Sequence, residues 1–298
     1  MTLPRLTAAD FDQELLILFD AYVHGDIDRR GFLERARKFA VGGLTAAGLL
    51  AALSPNFAQA QVVPPNDARL HTETVTFGSP QGYGSCKAYV CRPAQAKGPL
   101  PGVLVVHENR GLNPHIEDIT RRLALEGYVA FAPDALTPLG GYPGDEDKAR
   151  ALFAQLDQAK TREDFLAAHA SLLQRKDCNG RLAVVGFCYG GGMAHFLATQ
   201  IASLQAAVPF YGNHPAAADA SKVKAPLLIH FADVDERINA AWPAYEAALQ
   251  AAGARFEAHR YPGTQHGFNN DTTPRFDAAA AQLAWSRTLA FFKQHLQS

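Results

Sequence analysis

The sequence predicts an α/β fold, a doubly wound and mostly parallel sheet with helices on both faces, and three observations carry that prediction. Short apolar runs recur along residues 102–261, and most are separated by stretches of helical periodicity. Such runs read as strands buried on both faces of a parallel sheet, since an open antiparallel sheet would alternate apolar and polar residues. The third observation is chemical: a cysteine, an aspartate and a histidine each fall just beyond the end of one of these runs, where doubly wound sheets gather their chemistry.

Taken in order, Thr74 to Phe77 and Lys87 to Arg92 show the alternation of half-buried strands. The Gly-rich turn between them, Gly78 to Gly84, makes them an antiparallel hairpin at the start of the domain. Gly102 to Val106, Tyr128 to Phe131, Leu182 to Val185, Ala206 to Phe210 and Leu227 to Phe231 are the buried strands, with a last strand at Arg255 to Tyr261. Helices fit at Ile116 to Glu126, Asp147 to Gln158, Arg162 to Arg175, Gly191 to Ile201 and Trp242 to Ala252, and a long helix at Phe276 to His295 closes the chain. Alternating β and α units joined by right-handed crossovers lead to this one architecture.

The chain has 298 residues, 48% hydrophobic and 19% charged, enough for one large domain plus a tail. Its 28 Lys and Arg are scattered among 29 Asp and Glu for a net charge of -1. That balance argues against a nucleic-acid partner, which would call for a basic stripe. The four cysteines, at 86, 91, 178 and 188, have neither CxxC spacing nor the density of a disulfide scaffold. Cys86 and Cys91 lie on opposite faces of one strand, roughly 16 Å apart, too far to bridge. Cys178, in a polar stretch, reads as a turn residue. No metal and no cofactor is called for.

Residues 1–60 are a different kind of sequence, and residues 61–298 are expected to form the α/β domain. Arg29 and Arg30, a weakly hydrophobic run from Phe39 to Leu53 and the small-x-small Ala58-Gln59-Ala60 together resemble a twin-arginine export signal cleaved after Ala60. This reading implies the twin-arginine export machinery as a partner and a periplasmic or exported mature protein. The apolar run is too short for a stable membrane span, which takes roughly 20 residues. The alternative is a retained segment of amphipathic helices over residues 10–53 packed on the domain, with a cytoplasmic protein.

The strongest local signal is Gly186-Phe187-Cys188-Tyr189-Gly190-Gly191-Gly192, between a strand and a helical pattern. It is a nucleophile elbow with cysteine in the place of serine: the glycines permit a sharp strand-to-helix turn that exposes the central side chain at a helix N-terminus. A thiol there ionises more easily. Asp235 follows the strand ending at Phe231, and His266 follows the one ending at Tyr261. The order nucleophile, acid, histidine is that of an α/β-hydrolase, with His266 shuttling the proton and Asp235 holding its ring. Asp233 competes for the acid role, but Ile238, three positions beyond Asp235, favours the latter. Glu108 is a carboxylate at the end of a buried strand, a costly place unless it is paired or used. His107 and Glu108 are not followed by a second histidine at helical spacing, so they do not form a metalloprotease motif.

Val106 to Gly111, the Cys188 elbow, the Asp235 loop and Gly263 to Phe268 together resemble the dienelactone hydrolase family, over residues 70–295. The resemblance implies the α/β-hydrolase fold and a cofactor-free hydrolase acting on a small ester or lactone. It implies that Glu108 contacts the nucleophilic cysteine and helps it ionise, and that the backbone N–H groups of Tyr189 and Asn109 form an oxyanion hole. Family members hold a substrate carboxylate with arginines, one of them four residues beyond the histidine, where this chain has Asn270; Arg150 lies near the place of the other. A neutral ester is therefore an alternative substrate. Tyr211 and Trp242, beyond strand ends, are candidates to line the acyl pocket. Two further alternatives use the same residues: acyl transfer through the same triad, and a catalytically silent binding or redox-sensing protein in which Cys188 only oxidises.

Overall fold

The computed structural model describes residues 5–41 and 44–297. Four helices come first, α1 (Gln13–His24), α2 (Arg29–Ala36), α3 (Ala46–Leu53) and α4 (Phe57–Ala60). Asp12, Asp28 and Thr45 cap α1, α2 and α3 through side-chain oxygens that accept backbone N–H groups. Gly25, at φ 88°, ends α1 in the left-handed conformation that a glycine adopts without strain. Leu15, Phe19, Tyr22, Phe32, Leu50 and Leu53 bury a small core of their own between α1, α2 and α3.

Arg29 and Arg30 open α2, and Arg29 pairs with Asp147 at 2.7 Å. Of the apolar run from Phe39 to Leu53, Gly42 and Gly43 lie outside the described residues, and Leu49, Leu50 and Leu53 are buried on α1 and α2. No helix among the described residues is long and apolar enough to cross a membrane.

The rest of the chain runs β1 (Leu70–Ser79), β2 (Gly84–Pro93), β3 (Leu100–Val106), α5 (Pro114–Leu125), β4 (Val129–Asp134), α6 (Glu146–Phe153), α7 (Gln158–Leu173), β5 (Cys178–Phe187), α8 (Tyr189–Gln200), β6 (Ala206–Phe210), β7 (Leu227–Val234), α9 (Glu236–Asn239), α10 (Trp242–Ala251), β8 (Phe256–Gln265) and α11 (Ala278–Leu296). The eight strands form one sheet in the order β1-β2-β4-β3-β5-β6-β7-β8. β1 with β2 and β2 with β4 are antiparallel; the other neighbours are parallel.

Side chains alternate across the sheet, so the buried runs feed two cores. Leu104, Val106, Val184 and Ile229 pack under α7, α8 and α10, while Val103, Val105, Ala183 and Val185 pack under α5 and α11. Two expectations need correction. Cys178 is not a turn residue but opens β5, where it is buried. The helix expected to run from Asp147 to Gln158 stops at Phe153, and a second helix starts at Gln158 because the Asp157 carboxylate accepts the N–H groups of Ala159 and Lys160.

Candidate active site

Cys188 stands between β5 and α8 at φ 55° and ψ -112°, a strained conformation for a residue with a side chain. The flanking glycines explain how the chain tolerates it. A Cβ on Gly186 would lie 1.9 Å from the Gly190 carbonyl oxygen, and one on Gly190 would lie 2.2 Å from that of Val106. The elbow is thereby pressed against β3, and α8 begins at Tyr189, the residue directly after the cysteine.

Asp235, after β7, and His266, after β8, are brought together with Asp235 Oδ2 2.6 Å from His266 Nδ1. Asp233 is engaged elsewhere, accepting the Gly263 N–H at 3.0 Å. The Nδ1 contact leaves His266 Nε2 buried with no hydrogen-bond partner among the described residues. Cys188 Sγ has another neighbour: His24 Nε2, at the C-terminal end of α1, lies 3.3 Å from it. The donor atoms of His24, Cys188 and His266 all lie within 4.8 Å of one another.

This clustering perturbs the titration of all three groups. Burial alone would raise the Cys188 thiol, but the His24 and His266 imidazoles outweigh it and bring it down to about 6. Burial likewise opposes a charge on His266, and the Cys188 thiolate, Asp20 and Asp235 together lift it to about 10. His24 moves upward for the same reason, against burial, through Cys188 and Asp20. Two imidazoles and a thiolate could also ligate a metal ion. Arg237, however, places Nη2 3.0 Å from His24 Nε2, a cation against the ligand atom.

Glu108 has its hydrogen bond with Asn270, whose Nδ2 donates to Oε2 at 3.0 Å. Thus the asparagine in the place of the expected arginine is the residue that holds the strand-end carboxylate. Asn109 donates through Nδ2 to the Val23 carbonyl at 3.0 Å. The backbone N–H groups of Asn109 and Tyr189 meet no acceptor among the described residues, as a site for an incoming oxyanion requires.

A cavity of about 510 Å³ opens on Cys188, lined by His24, Asn109, Arg150, Phe153, Tyr211 and Arg237 among others. The Tyr211 ring packs 4.9 Å from that of His266. Arg150 is present, but it donates to the Tyr22 carbonyl and lies over the Tyr22 ring at 3.9 Å, so its charge is partly committed to α1. Trp242 corrects an expectation: it lies outside this cavity, buried against Phe231 at 4.8 Å, because it opens α10 on the core side of the sheet. His24 was missed by sequence reasoning. It lay in a segment read as a leader, and its one signal, an aspartate four residues earlier on an amphipathic helix, is common on surfaces.

A parallel sheet with a strained nucleophile elbow and an Asp–His pair at its carboxyl edge defines an α/β-hydrolase. A family model for dienelactone hydrolases matches residues 86–296. An Escherichia coli K12 protein provisionally named carboxymethylenebutenolidase is 36% identical over 264 residues, covering 84% of this chain and 96% of that one. A hydrolase fragment from the same organism, also provisionally named, is 49% identical over 114 residues, 38% of this chain and 97% of the fragment. A crystal structure from Klebsiella pneumoniae, provisionally named a dienelactone hydrolase, superposes with a TM-score of 0.67 at 30% identity, covering 75% of this chain and 99% of that one. The chain therefore belongs to the dienelactone hydrolase family and is a carboxylic ester hydrolase. A separate model, YqhI-like, matches residues 1–42.

Proposed function

We propose that the chain hydrolyses a small ester or lactone through a covalent thioester on Cys188, with His266 and Asp235 completing the triad. The observation that carries this is the Asp235–His266 contact of 2.6 Å beside a strained, ionisable cysteine. The thiolate attacks the carbonyl carbon, and the oxyanion is held by the N–H groups of Tyr189 and Asn109. The carbon–oxygen bond then breaks, and the leaving alkoxide takes a proton from an imidazole.

Acylation removes the thiolate, which is the foremost positive influence on His266. His266 then loses its proton more readily and becomes a base for water, whose attack releases the acid and restores the thiolate. The cavity favours a neutral or weakly anionic acyl group, since Asn270 faces Glu108 and Arg150 is bound to Tyr22.

Residues 1–60 are read here as a retained part of the enzyme in the cytoplasm; export and cleavage after Ala60 is the competing proposal. Support for retention is the set of contacts that join this segment to the site, from His24, Tyr22 and Val23. Intact-mass spectrometry tests both readings. With p-nitrophenyl acetate, the wild type is expected to gain one acetyl group, absent from Cys188→Ala. Protein isolated from its own cells is expected to keep residues 1–60. An unmodified thiol that only oxidises would replace the hydrolase mechanism with the redox-sensing one, and a mature mass starting at Gln61 would establish export.

A further inference from the structure

The thiol has two neighbouring imidazoles of the same construction, their rings edge to face 4.7 Å apart beside one sulfur. His266 Nδ1 faces the Asp235 carboxylate; His24 Nδ1 faces both the Asp20 carbonyl at 2.9 Å and the Asp20 carboxylate at 3.2 Å. Two oxygen acceptors fix the His24 proton on Nδ1, which leaves Nε2 as the acceptor nitrogen, shared between Cys188 Sγ at 3.3 Å and Arg237 Nη2 at 3.0 Å. His266 Nε2 is within reach of the sulfur but unpaired. Asp20 is itself anchored by Arg275 Nη1 at 2.9 Å, so the dyad belongs to the body of the enzyme.

We propose that His24 is a further catalytic residue, supplied by the N-terminal segment, which takes the Cys188 proton at rest and returns it to the leaving alkoxide, while His266 serves the water step. The proposal rests on the thioester mechanism above. Its proton balance closes. The S–H proton moves to His24 Nε2; the thiolate forms the C–S bond; the C–O bond breaks, and the alkoxide takes the proton from His24. With the thiolate consumed, His266 releases its own proton to solvent; water then gives a proton to the neutral His266, its oxygen displaces the thiolate, and that proton passes to His24, while His266 regains a proton from solvent as the thiolate returns.

The groups facing His24 set the direction of its titration. Asp20 on α1, the Cys188 thiolate and Asp235 behind His266 favour the imidazolium; His266 and Arg237 on α9 oppose it, and Arg275 moderates Asp20. His24 also forms a wall of the 510 Å³ cavity together with Gly25, Asp26, Ile27 and Asp28, so the same segment shapes the space for substrate. The YqhI-like match, over residues 1–42, spans all of α1 and α2.

The test is the rate of Cys188 alkylation by iodoacetamide between pH 5 and 9, with burst and steady-state kinetics on p-nitrophenyl acetate, for the full-length wild type, His24→Gln and His24→Ala. His24→Gln preserves the volume and is expected to raise the alkylation midpoint by about one pH unit, to slow the acylation burst about tenfold and to leave deacylation nearly unchanged. Added imidazole is expected to recover part of the burst rate in His24→Ala, an effect that a purely packing role would not give. An unchanged midpoint and burst in His24→Gln, or a faster turnover that marks His24 as a blocking contact, would overturn the proposal while Cys188 still carries the acyl group. Loss of the adduct from wild-type Cys188 would instead remove the thioester mechanism itself.

Discussion

Cys188→Ala, His266→Ala and the double variant are expected to fall to nearly the same residual steady-state turnover (kcat) of an activated ester, with a loss of about 10³-fold or more. In the proposed mechanism the two side chains perform one sequence of events. Without the sulfur there is no thioester; without His266 the thioester forms but water attacks it unaided. The two single variants are nevertheless distinguishable. His266→Ala still carries Cys188 next to His24, so it is expected to accumulate acyl-enzyme, visible by intact mass, whereas Cys188→Ala accumulates none.

The pH dependence follows from the same charges. The Cys188 thiol is held at about 6 and His266 at about 10, so the thiolate–imidazolium pair exists between those values. Acylation is expected to fail as pH drops through 6, because protonation of the sulfur removes the nucleophile. Removing His266 takes away one of the two charges that depress the thiol, so the acylation midpoint in His266→Ala moves upward. Additive losses in the double variant, measured by kcat on purified proteins of equal melting temperature, would show that the two groups act independently and would end this reading.

The sheet was legible because burial on both faces leaves a strong mark. Residues 102–106 and 182–185 are apolar without interruption, and each became the centre of a strand. Cys188, Asp235 and His266 were legible because each follows such a run, and strand ends in this architecture converge in space whatever the loops do. Trp242 was misplaced for a related reason: position after a strand fixes the end of the sheet but not which face of a short helix turns inward. Glu108 was recognised as unusual, but its partner, Asn270, lies across the site, and sequence spacing holds no information about that contact. His24 was illegible for the same reason in a stronger form. It reaches Cys188 across 164 positions of chain, and nothing near it in sequence distinguishes its helix from an export leader.

Gly190→Ala is expected to cost at least about 4 kcal/mol of stability, enough to lower Tm by roughly 10 °C or to prevent folding. The added Cβ would sit 2.2 Å from the Val106 carbonyl and 2.7 Å from that of His107, both backbone atoms of the central strand region, which cannot rotate aside. Relief would require α8 to lift from β3, and that movement would carry Cys188 and the Tyr189 N–H away from Asn109. The neighbouring Gly192→Ala is the control, since its Cβ would meet nothing closer than 3.5 Å. There the substitution removes backbone freedom from the unfolded chain and improves helix propensity, so it is expected to be neutral or to stabilise by up to about 1 kcal/mol. Thermal melts of the two variants decide the matter. A Gly190→Ala protein melting within 2 °C of Gly192→Ala, a gap roughly within the shift from a 1 kcal/mol change, would mean that the elbow has room to relax. The strained Cys188 backbone would then not depend on the close approach to β3.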